Sequence, residues 1–285
     1  MKKPYWFNKK INLSEDSKMK TMLRGLKLHT VCEESLCPNI SECFNNKVAT
    51  FMILGSICTR KCSFCSVSRG ETKTVDYNEP KRISQAVAKL NLKYVVITSP
   101  TRDDLSDCGL EIYLKTVKEI KNLSSSIVVE LLIPDFLARV DLLKEIATCG
   151  ADVISHNLET CPSLYKEVRK GANYQRSLEV LSIIKQVSKG IYTKSGLILG
   201  LGEKTQEIKE VLGDLDKVNC DFITIGQYLP PSLKHYPLKE YIHPEKFDFY
   251  KNEANKLGFK GVMSQPYVRS SYLAHSFYES RLFLV

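Results

Sequence analysis

Six of the ten cysteines in this chain lie between Cys32 and Cys65, a window of 34 residues, and they fall into two triplets. The first reads Cys32-Glu-Glu-Ser-Leu-Cys37-Pro-Asn-Ile-Ser-Glu-Cys43, a C-x4-C-x5-C spacing; the second reads Cys58-Thr-Arg-Lys-Cys62-Ser-Phe-Cys65, a C-x3-C-x2-C spacing. In a reducing compartment such crowding points to metal or redox chemistry rather than to a disulfide framework. Structural zinc wants four protein ligands in a closed tetrahedron, and neither triplet supplies a fourth Cys or His at suitable spacing. Ferredoxin-type clusters also take four cysteines. Three thiolates around a four-iron cubane leave one iron without a protein ligand, and that iron is a place for a small molecule to bind. Cys108, Cys149, Cys161 and Cys220 stand singly and are expected to be buried, inert thiols.

The compartment itself is read from the rest of the chain. The opening Met-Lys-Lys-Pro-Tyr-Trp-Phe-Asn-Lys-Lys has no apolar segment of the secretory kind and is not Arg- and Ser-rich like a transit peptide. No run approaches the roughly 18 apolar residues that a membrane span requires. A cytoplasmic protein without membrane attachment is expected. At 285 residues, 43% hydrophobic and 26% charged, it has the composition of an ordinary globular chain of one large or two small domains. Nothing in it demands more than a monomer. The net charge is +9, and residues 1–30 carry eight Lys or Arg against Glu15 and Asp16, so +6 of it is at the front. That arm reads as a solvated basic segment, as a docking surface for an acidic partner, or as a nucleic-acid contact. No stripe of basic residues interleaved with aromatics supports the last reading, so no nucleic-acid partner is expected.

Short β-rich runs occur at Val48–Leu54, Tyr94–Ser99, Ile127–Ile133, Asp152–Asn157, Tyr192–Leu199 and Phe222–Tyr228. Helical-period stretches lie between them, such as Ile83/Val87/Leu90, Leu178/Leu181/Ile184 and Ile208/Val211/Leu212/Leu215/Val218. Six alternations of strand and helix predict an α/β fold with a parallel sheet. Six are too few for the eight-unit barrel, so a partial (β/α)6 barrel is expected. The second cysteine triplet follows its first strand, the end where such barrels carry chemistry. The expected organisation is an N-terminal extension (1–47) with the first triplet, the partial barrel (48–242), and a C-terminal extension (243–285). The last holds a helix at Pro244–Leu257, a short strand at Lys260–Met263 and a tail.

The C-x3-C-x2-C triplet, with Phe64 just before its last cysteine, resembles the radical S-adenosylmethionine superfamily. The first triplet, fifteen residues upstream, resembles the auxiliary-cluster motif of lipoyl synthases. Further blocks carry the resemblance along the chain: Ala49-Thr-Phe-Met-Ile-Leu-Gly55, Thr101-Arg-Asp-Asp104, His156-Asn-Leu-Glu-Thr160, Val168-Arg-Lys-Gly-Ala172, Lys194-Ser-Gly196, Gly200-Leu-Gly-Glu203, Gly226-Gln-Tyr228 and Val268-Arg-Ser-Ser-Tyr272. Departures are few: Phe44 for the usual Trp, Pro100 and Cys108 about the Thr101 block, Gln265 for Gly, and Leu273 for His.

The resemblance implies an enzyme, a sulfurtransferase of lipoate biosynthesis. It would insert two sulfur atoms at carbons six and eight of a protein-bound octanoyl chain. It implies two 4Fe-4S clusters and S-adenosyl-L-methionine. Cys58, Cys62 and Cys65 would hold the reducing cluster, whose open iron binds the amino and carboxylate groups of S-adenosylmethionine. Cys32, Cys37 and Cys43 would hold the auxiliary cluster with Ser271 as fourth ligand, Ser270 being its neighbouring rival. Phe64 would lie near the adenine, or serve as a plain loop-core aromatic. Thr98, Asn157, Glu159 and Arg169 are candidates for cofactor or substrate contact, with structural hydrogen bonding as the rival role for each. His29, beside Cys32, is a further candidate ligand that the family's set does not need. Implied partners are octanoylated lipoyl carriers (glycine-cleavage H protein or 2-oxoacid dehydrogenase E2 lipoyl domains), a low-potential electron donor and an iron-sulfur carrier. The alternatives are another two-cluster sulfur inserter, of methylthiotransferase or biotin-synthase type, and a zinc-dependent nucleic-acid module.

Overall fold

A computed structural model describes residues 2–7, 16–46, 48–275 and 278. Its strands are β1 (His29–Thr30), β2 (Thr50–Met52), β3 (Ile57–Cys58), β4 (Ser68–Arg69), β5 (Tyr94–Thr98), β6 (Val128–Leu132), β7 (Val153–Ser155), β8 (Tyr192–Leu199), β9 (Phe222–Gln227) and β10 (Gly261–Ser264). Its α-helices are α1 (Asp16–Gly25), α2 (Val31–Glu34), α3 (Ile40–Asn45), α4 (Glu79–Leu90), α5 (Leu110–Leu123), α6 (Val140–Ala147), α7 (Tyr165–Val168), α8 (Tyr174–Val187), α9 (Thr205–Lys217) and α10 (Pro244–Leu257). The chain divides into two compact units. The first comprises Lys10–Lys61 and Ser66–Ile154; the second comprises Met1–Lys9, Cys62–Cys65 and Ser155–Val285.

In the first unit β2 pairs in parallel with β5 and β5 in parallel with β6, with Thr50 opposite Val96 and Tyr94 opposite Val128. The short β1 lies antiparallel on β2. Tyr94-Val-Val-Ile-Thr98 is β-branched and almost wholly buried, as expected of a parallel strand covered on both faces. The helices present apolar stripes at three- and four-residue spacing, Ile83/Ala86/Val87 on α4 and Ile112/Thr116/Val117/Ile120 on α5. Helix α4 begins with a proline in its first turn and ends on Asn91 in the left-handed conformation. The strand expected over Val48–Leu54 is only three residues long. Leu54 (φ 66°) and Gly55 (φ 81°) turn the backbone out of extension, and the Leu54 N–H donates to Glu79 at 2.7 Å instead of to a strand.

In the second unit β8, β9 and β10 run parallel, with Lys194 and Gly261 both opposite Phe222. Helices α8, α9 and α10 pack there around a core that includes Leu181, Leu197, Ile208, Leu212, Ile223 and Phe247. The three helical runs expected from periodicity and the helix at Pro244–Leu257 are all present. The expected strand at Lys260–Met263 is displaced by one residue. Phe7 is fully buried here, its ring 5.3 Å from Tyr241 and 5.2 Å from Tyr267, and the Tyr267 hydroxyl donates to the Phe7 carbonyl. The front of the basic arm is therefore anchored at residues 5–7, while Lys2 and Lys3 are exposed; residues 8–15 lie outside the described residues. Among the described residues no helix is long and apolar enough to cross a membrane. Of the lone cysteines, Cys108, Cys161 and Cys220 are buried as expected, whereas Cys149 is half-buried.

Candidate cluster and cofactor site

The first triplet spans two short helices of the first unit and the turn between them, which holds Cys37. The Thr30 hydroxyl accepts from the Glu33 N–H and starts α2, which carries Cys32. The Cys37 N–H then closes onto the Cys32 carbonyl at 3.0 Å, and the Cys43 N–H binds the Asn39 carbonyl at 2.9 Å. Cys32 is buried, and burial, with the neighbouring Cys37, pushes its thiol up to about 12. Binding iron would therefore have to displace a proton held tightly there. Cys37 and Cys43 are half-buried. His29 is turned to Glu34, its Nδ1 3.2 Å from Oε1, which gives it a partner other than the triplet.

The second triplet occupies the loop after β2. Cys58 ends β3, which pairs with β4 for two residues only. Its stem is fixed within the first unit. The Thr59 N–H and hydroxyl both donate to the Thr101 carbonyl at 3.0 Å, and the Asp103 N–H donates back to the Thr59 hydroxyl at 3.2 Å. Arg60, 8% exposed, forks onto Asp103 (2.8 and 2.9 Å) and onto Asp135 (2.8 and 2.6 Å). Its backbone N–H donates to Cys58 Sγ at 3.4 Å. Asp135 opens a turn in which Phe136, Leu137 and Ala138 all have positive φ, 43°, 55° and 54°. Three consecutive left-handed non-glycine residues cost about 3–6 kcal/mol at 1–2 each.

The loop tip, Cys62–Cys65, belongs to the second unit. The Cys65 N–H turns back to the Cys62 carbonyl at 3.3 Å, the Ser63 N–H donates to the Val168 carbonyl at 2.9 Å, and the Tyr236 N–H donates to the Ser63 carbonyl at 2.8 Å. Phe64 packs on Val168, Leu201 and Tyr228.

Beside this tip three candidate contact residues meet in one polar network. Asn157 Nδ2 donates to Glu159 at 2.9 Å, and the Ser270 hydroxyl donates to Asn157 Oδ1 at 3.0 Å. Arg169 Nη1 donates to the carbonyls of Asn157 (2.8 Å) and Leu158 (3.3 Å) and to the Tyr165 hydroxyl (2.9 Å). Burial raises the Glu159 carboxyl, and Arg169, Asn157 and Arg269 oppose that rise. Glu159 itself is left-handed (φ 65°), a strained conformation for a residue with a side chain. Thr98, in the first unit, is buried in β5, and its hydroxyl donates to the Leu132 carbonyl at 2.9 Å. Among the described residues Ser271 Oγ has no hydrogen-bond partner, whereas the rival Ser270 is spent on Asn157.

Gly226 brings the terminal motif onto β9. A Cβ there would stand 2.0 Å from the Val268 carbonyl oxygen and 3.2 Å from Arg269 Nη1. Gly226→Ala must push the backbone of that motif away, an overpacking cost of about 3 kcal/mol. A melting temperature lower by roughly 5–10 °C is expected on thermal unfolding. Sequence reading found the Gly226 block only as part of a resemblance; the close approach that requires glycine is a tertiary fact.

The donor sets suit the implied groups. All six clustered cysteines are free thiols, soft donors of the kind iron-sulfur clusters take. Among the described residues no three His, Cys, Asp or Glu side chains converge as they would on a single ion. A cubane spreads its ligands over separate irons, so that arrangement is not required of it. Among the described residues Arg169 Nε is a buried donor without a hydrogen-bond partner. A buried orphan of this kind is costly, and it suits a ligand bearing a carboxylate or hydroxyls, as S-adenosylmethionine does.

Residues 52–215 match the family model of the Radical SAM superfamily. A lipoyl synthase from Caldicellulosiruptor saccharolyticus is 53% identical over 274 residues, covering 96% of each chain. One from Alkaliphilus metalliredigens is 50% identical over 96% of this chain and 94% of its own. Among solved structures, HydG, a maturase of the [FeFe]-hydrogenase, superposes with a TM-score of 0.60 at 13% identity over 89% of this chain and 63% of that one. Methylornithine synthase PylB gives 0.54 at 16% identity over 87% and 82%. At such low identity these two structures speak to the fold alone, and they agree with the partial barrel expected from the alternation of strands and helices. With half of its residues shared with those relatives over nearly all of its length, the chain belongs to the lipoyl synthase family of the radical SAM superfamily.

Proposed function

We propose that this chain inserts two sulfur atoms at carbons six and eight of an octanoyl group already linked to a lipoyl carrier protein. The observation that carries the reading is the near-complete, roughly half-identical match to lipoyl synthases, made by a chain that keeps both cysteine triplets. An alkyl C–H is neither acidic nor polarised, so positioned acids and bases cannot open it; a reduced 4Fe-4S cluster with S-adenosylmethionine supplies the radical chemistry that can. Cys58, Cys62 and Cys65 would hold that cluster. Arg169, with its orphaned Nε, and Glu159 would orient the polar groups of S-adenosylmethionine. Cys32, Cys37 and Cys43 would hold a second cluster as the source of sulfur, with Ser271 as its fourth ligand. A serine oxygen is a harder and poorer match for cluster iron than a thiolate, so that corner is the easiest to release.

The test is mass spectrometry of an octanoylated carrier peptide after anaerobic incubation with the iron-loaded protein, S-adenosylmethionine and reductant. Addition of two sulfurs supports the reading. A peptide left unmodified while S-adenosylmethionine is cleaved would replace it with another radical reaction.

The basic arm would speed encounter with acidic carrier domains by electrostatic steering. Because Phe7 is anchored in the second unit, deleting residues 1–10 would remove packing along with charge. Charge reversal at Lys2, Lys3, Lys9 and Lys10 tests charge alone. Turnover of an intact carrier is expected to fall about tenfold at low salt, while turnover of a short neutral octanoyl peptide is unchanged. Equal loss on both substrates would make the arm a structural element.

A further inference from the structure

We propose that Arg60 is a positioning residue. Clamped between Asp103 and Asp135, it holds its own backbone N–H on the Cys58 sulfur and so sets the reduction potential of the cluster that Cys58 ligates. The last clause rests on the assignment of Cys58 above; the clamp stands on its own geometry. All four of the fork's hydrogen bonds are 2.6–2.9 Å long, and the side chains of Arg60 and Asp135 are 7% and 0% exposed. A bidentate grip from two sides fixes the guanidinium plane in a way a lysine point charge cannot. With that side chain fixed and Thr59 tied on to Thr101, the backbone between Cys58 and Arg60 has little freedom. The N–H to Sγ contact at 3.4 Å is the result.

Stability alone is a poor reason to keep such a trio. Buried ion pairs replaced by apolar residues of similar volume are often no less stable folds. Here the second carboxylate is moreover presented by a turn of three left-handed residues, Phe136 to Ala138. Strain of that sort persists where the surrounding structure over-determines it, and it gathers at functional sites. Hydrogen bonds to cluster sulfurs are among the factors that tune iron-sulfur potentials. The aim of the Arg60 N–H is what this turn and these carboxylates secure.

The test is Arg60→Lys in the full chain, which keeps the charge and removes the fork. In iron-loaded protein the expected result is a midpoint potential more negative than the parent's, and so a smaller fraction of the cluster reduced at a fixed solution potential, with iron and sulfide content unchanged. An unchanged midpoint in the loaded variant would overturn the proposal. Hydrogen exchange across Ser56–Lys61, measured before iron is added, reads the clamp without the cluster. Exchange faster by roughly tenfold in the variant, with β5 unaffected, supports it; equal protection overturns it even in a variant that loads no iron. A parent chain that binds no iron would instead fail the cluster assignment, and the exchange comparison would still decide the clamp.

Discussion

Cys62→Ala is expected to abolish both the cleavage of S-adenosylmethionine and the formation of lipoyl product, leaving each at the level of protein-free buffer. Ligand number decides the outcome. With three thiolates a cubane has one iron open to cosubstrate; with two it has a second iron exposed and is no longer held as a discrete cluster. Among the described residues of the second unit, the thiols outside this loop, Cys161 and Cys220, are buried in its core. The substitution is mild for the fold, because Cys62 is half-buried and the turn it opens is held by backbone hydrogen bonds. Unaltered far-ultraviolet circular dichroism should therefore accompany the loss. The checks are chromatography of 5′-deoxyadenosine and mass spectrometry of the carrier peptide. Retained cleavage would exclude Cys62 as a ligand.

Ser271→Ala should divide the two activities that Cys62→Ala destroys together. Cleavage of S-adenosylmethionine is expected to stay within about threefold of the parent, a barrier change under ~1 kcal/mol, while the doubly sulfurated product disappears. The serine contributes nothing to the triplet at Cys58, Cys62 and Cys65, but it would complete the set on Cys32, Cys37 and Cys43. Ser270→Ala is the comparison. Its hydroxyl is committed to Asn157, so its loss should disturb the Asn157–Glu159–Arg169 network and weaken cosubstrate binding rather than sulfur transfer. Normal lipoylation by Ser271→Ala together with loss by Ser270→Ala would exchange the two assignments.

Much of this was legible in the order of residues. The parallel strands read as β-branched runs because both faces are covered, and α4, α8 and α9 show themselves by apolar spacing. Helices α2 and α3, at four and six residues, are too short for periodicity to register, and so the support of the first triplet was invisible. The cysteines were found by spacing, since ligand chemistry depends on residue type and local separation. Arg60 was not, although it stands inside the second triplet: its partners Asp103 and Asp135 are 43 and 75 residues away, and only the fold brings them in. Thr98 ends β5 as a candidate contact or a structural residue, and its hydroxyl donates to the Leu132 carbonyl. Strand position alone does not say where a short polar side chain finds its partner.

The seat of Phe7 against Tyr241 and Tyr267 bears on how the molecule is made. Its second unit is assembled from the first few residues, the tip of the cysteine loop and everything after Ile154, so a growing polypeptide cannot finish that half until translation has passed Tyr267. Contacts that distant in the chain form late and slowly. The tip at Cys62–Cys65 can be held sooner, once Val168 and Tyr236 have been made, since those two residues close the hydrogen bonds to Ser63; the seat of Phe7 is completed after it.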